Sequence, residues 1–215
     1  GIYFISSKAG LLTIILVLFF IGIRSLVKKF NYLKLAISLL VLTVISIVLI
    51  GNNRISLTLK QFATDFAVEK DSGESSQSRI QAWHASLSLA KENLVFGVSP
   101  GDASDKLKAK YKELEYSKAE FHNLNSHNQY FEDLVSLGLI GLSILIAILF
   151  GPIFIKDFRK NYLFIIFILI FAFNFIFESM LETRSGIVFF MFFYTLLIYI
   201  SNNLNNDTIF ATKNK

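Results

Sequence analysis

Cysteine is absent from this chain, proline occurs twice, and tryptophan once. Without Cys there are no disulfides and no thiolate metal sites, and the oxidising side of a membrane imposes no redox constraint. The three His residues come with no Cys and no tight carboxylate spacing, so the expectation is no metal and no cofactor. A strong excess of charge is also lacking. The net charge is +5, yet residues 52–130 carry ten Lys/Arg against ten Asp/Glu, so this long polar part is neutral. That excludes a basic nucleic-acid surface and leaves the positive excess in short connections. What is abundant is apolar: 53% hydrophobic residues, 23 of them Phe, a membrane-protein composition among 215 residues.

The apolar runs predict an all-α polytopic membrane helix bundle of about five spans. They lie near 10–23, 35–50, 134–155, 162–177 and 186–200. The expected organisation is two membrane helices in 1–51, a helical outer loop in 52–126, three helices in 127–201 and a frayed polar tail in 202–215. Nine Lys/Arg fall in the 24–34 link, the 156–160 link and the tail, against Lys8 and Arg184 on the other side. The tail and the 24–34 link are therefore expected in the cytoplasm and the long loop outside. Gly1-Ile2-Tyr3-Phe4-Ile5 reads as the end of an apolar segment, with no signal peptide, as in the C-terminal part of a longer protein.

Within the loop, Ser78 and Gln81 have capping-box spacing. They predict a helix opening there, with Ile80, Trp83, Leu87 and Leu94 near one face. Gly97-Val98-Ser99-Pro100-Gly101 is a turn, and Ser104 opens a second helix with Leu107, Tyr111 and Leu114 aligned. The two helices read as amphipathic covers over the mouth of the spans. Residues 71–78 are the expected mobile stretch.

One stretch organises the rest. From Ser126-His127-Asn128-Gln129 the sequence turns apolar within two turns and runs on to about residue 155. Ser126 and Gln129 repeat the capping-box spacing, predicting a helix from His127. Residues 134–155 would make about 33 Å of continuous helix, enough to cross a bilayer core. His127 and Asn128 then sit at the helix N-terminus, where unpaired N–H groups and the dipole favour an anion. The plain alternative is a polar cap on a membrane helix. An imidazole titrating at about 6.5 can accept a proton from a hydroxyl or donate to a phosphate oxygen. Asn128 would position hydroxyls or orient the ring. His122 is either a supporting contact or a surface residue, and His84 beside Trp83 reads as an interfacial aromatic pair.

His127-Asn128-x9-Gly138 resembles the signature of the O-antigen ligase and polymerase family. Other stretches resemble further elements of that family in the same order: Ser7-Lys8-Ala9-Gly10, Ser78-Arg79 with Trp83, the 97–101 turn, and Glu178-Ser179 with Leu181, Glu182 and Gly186. Lys8 stands where the family pattern has Arg, which keeps the charge but loses the planar fork. The resemblance implies a metal-independent, inverting membrane glycosyltransferase of lipopolysaccharide biosynthesis. Its donor would be a glycan on undecaprenyl diphosphate and its acceptor lipid A-core or another glycan. It also implies a multi-pass protein of the bacterial inner membrane, among membrane lipid, with the long loop in the periplasm. Catalytic roles fall to His127 and Arg79, and substrate contacts to Lys8, Asn128, His122, Glu178, Glu182 and Arg184. Glu178 or Glu182 is expected to pair with Arg184, since an acid at the hydrocarbon edge is costly alone. Polymerase and protein O-oligosaccharyltransferase are alternatives within the family. A non-catalytic polysaccharide transporter component is the alternative outside it.

Overall fold

The computed structural model describes residues 8–28, 75–155 and 161–213, with side chains described at Gly10 and over 13–22, 78–155 and 161–201. All regular structure among these residues is helical. The described residues form seven α-helices: α1 (Lys8–Lys28), α2 (Ser75–Glu92), α3 (Ala103–Glu113), α4 (Ser117–Phe121), α5 (Gln129–Phe150), α6 (Tyr162–Asn174) and α7 (Arg184–Lys213). Two short 3₁₀ turns, Gly151–Phe154 and Met180–Glu182, follow α5 and precede α7. The chain divides into two compact units, residues 1–68 and 69–215. In the first, α1 contains the first expected span. The expected second span, the loop up to residue 74 and the 156–160 link lie outside the described residues.

Among the described residues two helices are long and apolar enough to cross a membrane, Gln129–Phe154 and Arg184–Ser201; Thr13–Gly22 and Tyr162–Asn174 are shorter apolar stretches. Helix α7 runs on to Lys213, where a frayed tail from residue 202 was expected. Around α6 the packing is aromatic: Phe164, Phe167, Phe171, Phe175 and Phe190 are buried with Leu145, Leu149 and Ile168. Ring centroids of Phe171 and Phe190 stand 4.9 Å apart, and those of Phe167 and Phe171 4.7 Å. Asn161 caps α6 through Leu163 N–H and Phe164 N–H, at 3.1 and 3.2 Å, and its amide reaches Ser201 Oγ at 2.7 Å.

The outer helices pack differently from the expectation. Helix α2 opens at Ser75, so the Ser78/Gln81 pair is interior and Arg79 lies in the second turn. Nothing between Ser75 and Ser78 is incompatible with helix, and the spacing alone did not mark a start. The buried face is Gln81, Ala82, Ala85, Ser86, Leu89 and Ala90, whereas Leu87 and Leu94 are exposed. Small side chains let α2 come close to its neighbours, which moves the larger ones to the margin. In α3 the aligned Leu107 and Tyr111 are buried as expected, but Asp102, not Ser104, precedes the helix. Lys110, nearly buried, pins α3 to the end of α2 through Glu92 at 2.6 Å, and pairs within α3 with Glu113 at 2.7 Å.

Helix α5 is not the continuous rod the apolar run suggested. Its cap is Asn128, whose Oδ1 accepts from Phe131 N–H at 3.1 Å, so the helix starts at Gln129 rather than His127. Ser126 instead accepts from Ser86 Oγ at 2.9 Å, and its own N–H donates to Glu132 Oε2 at 2.9 Å. At Gly138 the backbone leaves the helix, with φ 67° and ψ −159°. There the turn after α2 enters the break. Val98 N–H and Ser99 N–H donate to the carbonyls of Val135 and Ser136, at 2.8 and 3.0 Å. Leu139 N–H and Ile140 N–H donate to those of Leu94 and Val95, at 2.8 and 3.5 Å. Four backbone groups of α5 beside the break thereby find partners in the turn, as backbone polar groups away from water require. Gly97 and Gly138, both at positive φ, make the crossing possible. A Cβ on Gly138 would overlap the Val95 carbonyl, and one on Gly97 the Ser136 backbone.

Candidate active site

The break, the cap and the link after α6 bring three side chains together. Glu178 Oε1 accepts from Arg79 Nη2 at 2.6 Å, and Glu178 Oε2 lies 3.2 Å from His127 Nδ1. One carboxylate therefore joins α2 to the start of α5. All three groups keep a route to solvent: the side chains are 35% exposed at Arg79, 27% at His127 and 46% at Glu178. The hydrogen bond from His127, with the Arg79 charge behind it, holds the Glu178 carboxyl below its ordinary range, although burial works the other way. An ionised carboxylate can only accept, so the facing Nδ1 carries the proton of this bond; in the neutral imidazole Nε2 then holds the lone pair.

His127 is held on a strained turn, with φ 45°. Its N–H donates to Asn125 Oδ1 at 3.1 Å, and its carbonyl accepts from Trp83 Nε1 at 3.4 Å. The Trp83 ring meets Phe131 edge-on at 6.0 Å. Beneath the turn, Asn128 N–H donates to Ser179 Oγ at 3.2 Å and Gln129 N–H to the Phe175 carbonyl at 2.7 Å. The Gln129 side chain then accepts from Leu181 N–H at 2.7 Å. The link carrying Glu178 is thus tied at three points to the turn carrying His127.

Other site expectations fall elsewhere. Asn128 is buried, and its side-chain oxygen serves the cap. His122 is exposed against Phe121, with ring centroids 5.1 Å apart. Arg184 is exposed and makes no ion pair among the described residues; Glu178 pairs with Arg79 in its place. The α2 helix brings Arg79 within reach of the link, which spacing along the chain did not reveal. Glu182 is raised above the usual carboxylate range by burial, with the charges of Glu132 and Asp133 adding to it. The Lys8 side chain lies outside the described residues, in the other compact unit. His84 bonds the Tyr116 hydroxyl through Nδ1 at 2.9 Å, not Trp83. Sequence reasoning missed the docking of the 94–99 turn into α5. Its signal was present in the paired glycines 97 and 138, the second being the last residue of the His-Asn-x9-Gly pattern.

Searches of curated proteins and of solved structures found no match. The sequence model of the family described as O-Antigen ligase matches residues 1–146. The matched stretch holds Arg79, His127 and Gly138 and ends before Glu178. Covering well over half of the chain, the match settles its kinship: the protein belongs to the O-antigen ligase family, membrane-associated glycosyltransferase-like proteins of polysaccharide biosynthesis.

Proposed function

We propose that this protein transfers a glycan from undecaprenyl diphosphate to a hydroxyl of lipid A-core. It would do so as part of a multi-pass bundle of about five spans in the bacterial inner membrane, with the α2–α4 region in the periplasm. The observation that carries the reading is the Glu178 carboxylate shared by Arg79 and His127. It fixes the imidazole tautomer whose Nε2 can act as a base, an arrangement of base and orienting acid. The acceptor hydroxyl attacks the anomeric carbon and loses its proton to His127 Nε2. The bond to the diphosphate breaks with its electron pair leaving on the phosphate oxygen, and the configuration inverts. Arg79 keeps further N–H donors for that departing charge, which electrostatic preorganisation uses to lower the barrier. Lys8, Asn128, His122, Glu182 and Arg184 remain candidates for contacts to donor or acceptor. No metal is needed in this scheme.

The test is transfer by the protein in vesicles supplied with donor and acceptor. His127→Asn, which tolerates positive φ, should lower turnover by roughly a hundredfold or more at unchanged protein level. Arg79→Ala should lose transfer almost wholly and Arg79→Lys keep a little, because Lys restores charge without the fork. Glu178→Gln should reduce turnover with little change in donor KM. Normal transfer by the His127→Asn protein ends the assignment. Surface glycans of a deletion strain choose the acceptor: no chains on core for a ligase, single repeats for a polymerase.

A further inference from the structure

The turn after α2 presents Leu94, Val95 and Phe96 outward, at 45%, 51% and 76% exposure. Three consecutive large apolar side chains in the open are unusual on a water-facing loop. They lie at the Gly138 break, where α5 loses its last charges. From Leu134 to Ile155 no residue is ionisable, and Leu137, Leu139, Ile140 and Ile144 are exposed along it. The triplet therefore continues the outer face of an apolar span. Its backbone is also prepared for a dry setting. The carbonyls of Asn93, Leu94 and Val95 and the N–H groups of Gly97, Val98 and Ser99 are all hydrogen-bonded.

Beside the triplet is an open cleft of about 490 Å³, whose lining includes the apolar Phe96 and Leu137 and the polar Asn93, Ser99 and Lys106. The Lys106 ammonium forms no ion pair among the described residues. This cleft is distinct from the site described above. Arg79 and Asn93 stand at opposite ends of α2, about 20 Å apart at 1.5 Å per residue. An apolar wall continuous with a membrane span, next to one cation and two hydrogen-bonding side chains, matches a molecule with an acyl chain and an anionic head.

We propose that the 93–100 turn is embedded in the outer leaflet edge and that the cleft holds the head of a bilayer phospholipid with net negative charge, such as phosphatidylglycerol. Phe96 and Leu137 line the start of its acyl chain, and Lys106 meets the phosphate. The bilayer then fixes the depth of the outer helices through the same turn that completes α5. This rests on the membrane placement of α5 and not on the transfer chemistry, so loss of the glycosyltransferase reading would leave it standing.

Because the chain has no Cys, a nitroxide can be attached to Phe96→Cys, and for comparison to Lys108→Cys on the exposed side of α3, in an otherwise native protein. In vesicles containing phosphatidylglycerol, the label at position 96 should collide with oxygen in preference to a water-soluble nickel chelate. The label at position 108 should show the reverse, with ratios several-fold apart. Equal ratios at the two positions overturn the insertion. Native mass spectrometry then reads the cleft. The unmodified protein should retain a phosphatidylglycerol that Lys106→Glu loses several-fold, without change in the unfolding temperature. Equal retention overturns the headgroup site. Retention of phosphatidylcholine to the same extent would show that Lys106 reads no charge and overturns it too.

Discussion

Where α2 meets its neighbours, the buried positions, Leu89 aside, are the small or polar Gln81, Ala82, Ala85, Ser86, Ala90, Ser126 and Gln129; around α6 they are Phe164, Phe167, Phe171, Phe175 and Phe190. The first region is small and polar, and its partners are set by directional bonds such as Ser86 to Ser126 and Ser126 to Glu132. The second is held by ring packing, each close aromatic pair contributing about 0.5–1.5 kcal/mol with no fixed direction. Hydrogen bonds position atoms to tenths of an ångström, whereas aromatic packing fills volume. The candidate site lies at the seam between them. Arg79 and His127 come from the bonded region, and Glu178 leaves the end of the aromatic one. A change on either side should therefore be felt at the carboxylate.

The largest effect should come from the crossing that joins the outer helices to α5. Gly138→Leu puts a side chain at positive φ against the Val95 carbonyl and leaves up to four backbone groups without partners. At about 1–3 kcal/mol for each unsatisfied group, the loss should exceed about 4 kcal/mol, a range that point changes seldom reach. Thermal unfolding should show it, and proteolysis should open residues 93–101. A protein that melts normally would mean that the crossing is incidental. Phe171→Ala should cost about 3 kcal/mol, the lower end of the range for a buried Phe. It should lower the unfolding temperature while the outer helices stay resistant to protease. Equal proteolysis of both regions would mean that the two are held in the same way.

Ser86→Ala should cost about 1 kcal/mol through one buried hydrogen bond, measured by denaturant unfolding. A shift as large as that of Phe171→Ala would show that the polar region is held more by packing than by bonds. The smallest effect concerns acid. Glu178 is held below its ordinary range by His127 and Arg79, so its contribution is complete above the unfolded carboxylate range. It disappears as pH falls through the depressed value. The gap in unfolding temperature between the native protein and Glu178→Gln should be present at pH 7 and vanish below the ordinary carboxylate range. A gap that survives in acid would mean that the charge of Glu178 is not what binds it.

Much of the fold was legible because burial and helix period leave marks along a chain. The apolar runs located α1, α5, α6 and α7, and the period of Leu107 and Tyr111 found the buried face of α3. Capping spacing was a poorer guide. Of three Ser-led starts, none held: α2 began three residues earlier, α3 after Asp102 and α5 after Asn128. A hydroxyl three residues before an amide acceptor is common, and which oxygen caps depends on what else each can reach. Ser126 is drawn to Ser86, a residue 40 positions away.

By itself the sequence determined the helical, apolar character of the chain, the family it belongs to, and the residue types on offer for chemistry. It did so because composition and short patterns are local properties. Only the tertiary structure decided that Glu178 faces Arg79 and His127 across 99 and 51 residues, and not Arg184 six residues on. The same holds for Gly138, which sits inside an apolar run that reads as unbroken helix. Glycine permits the break, but the break exists only because the turn at 94–99 arrives to satisfy the backbone groups it frees.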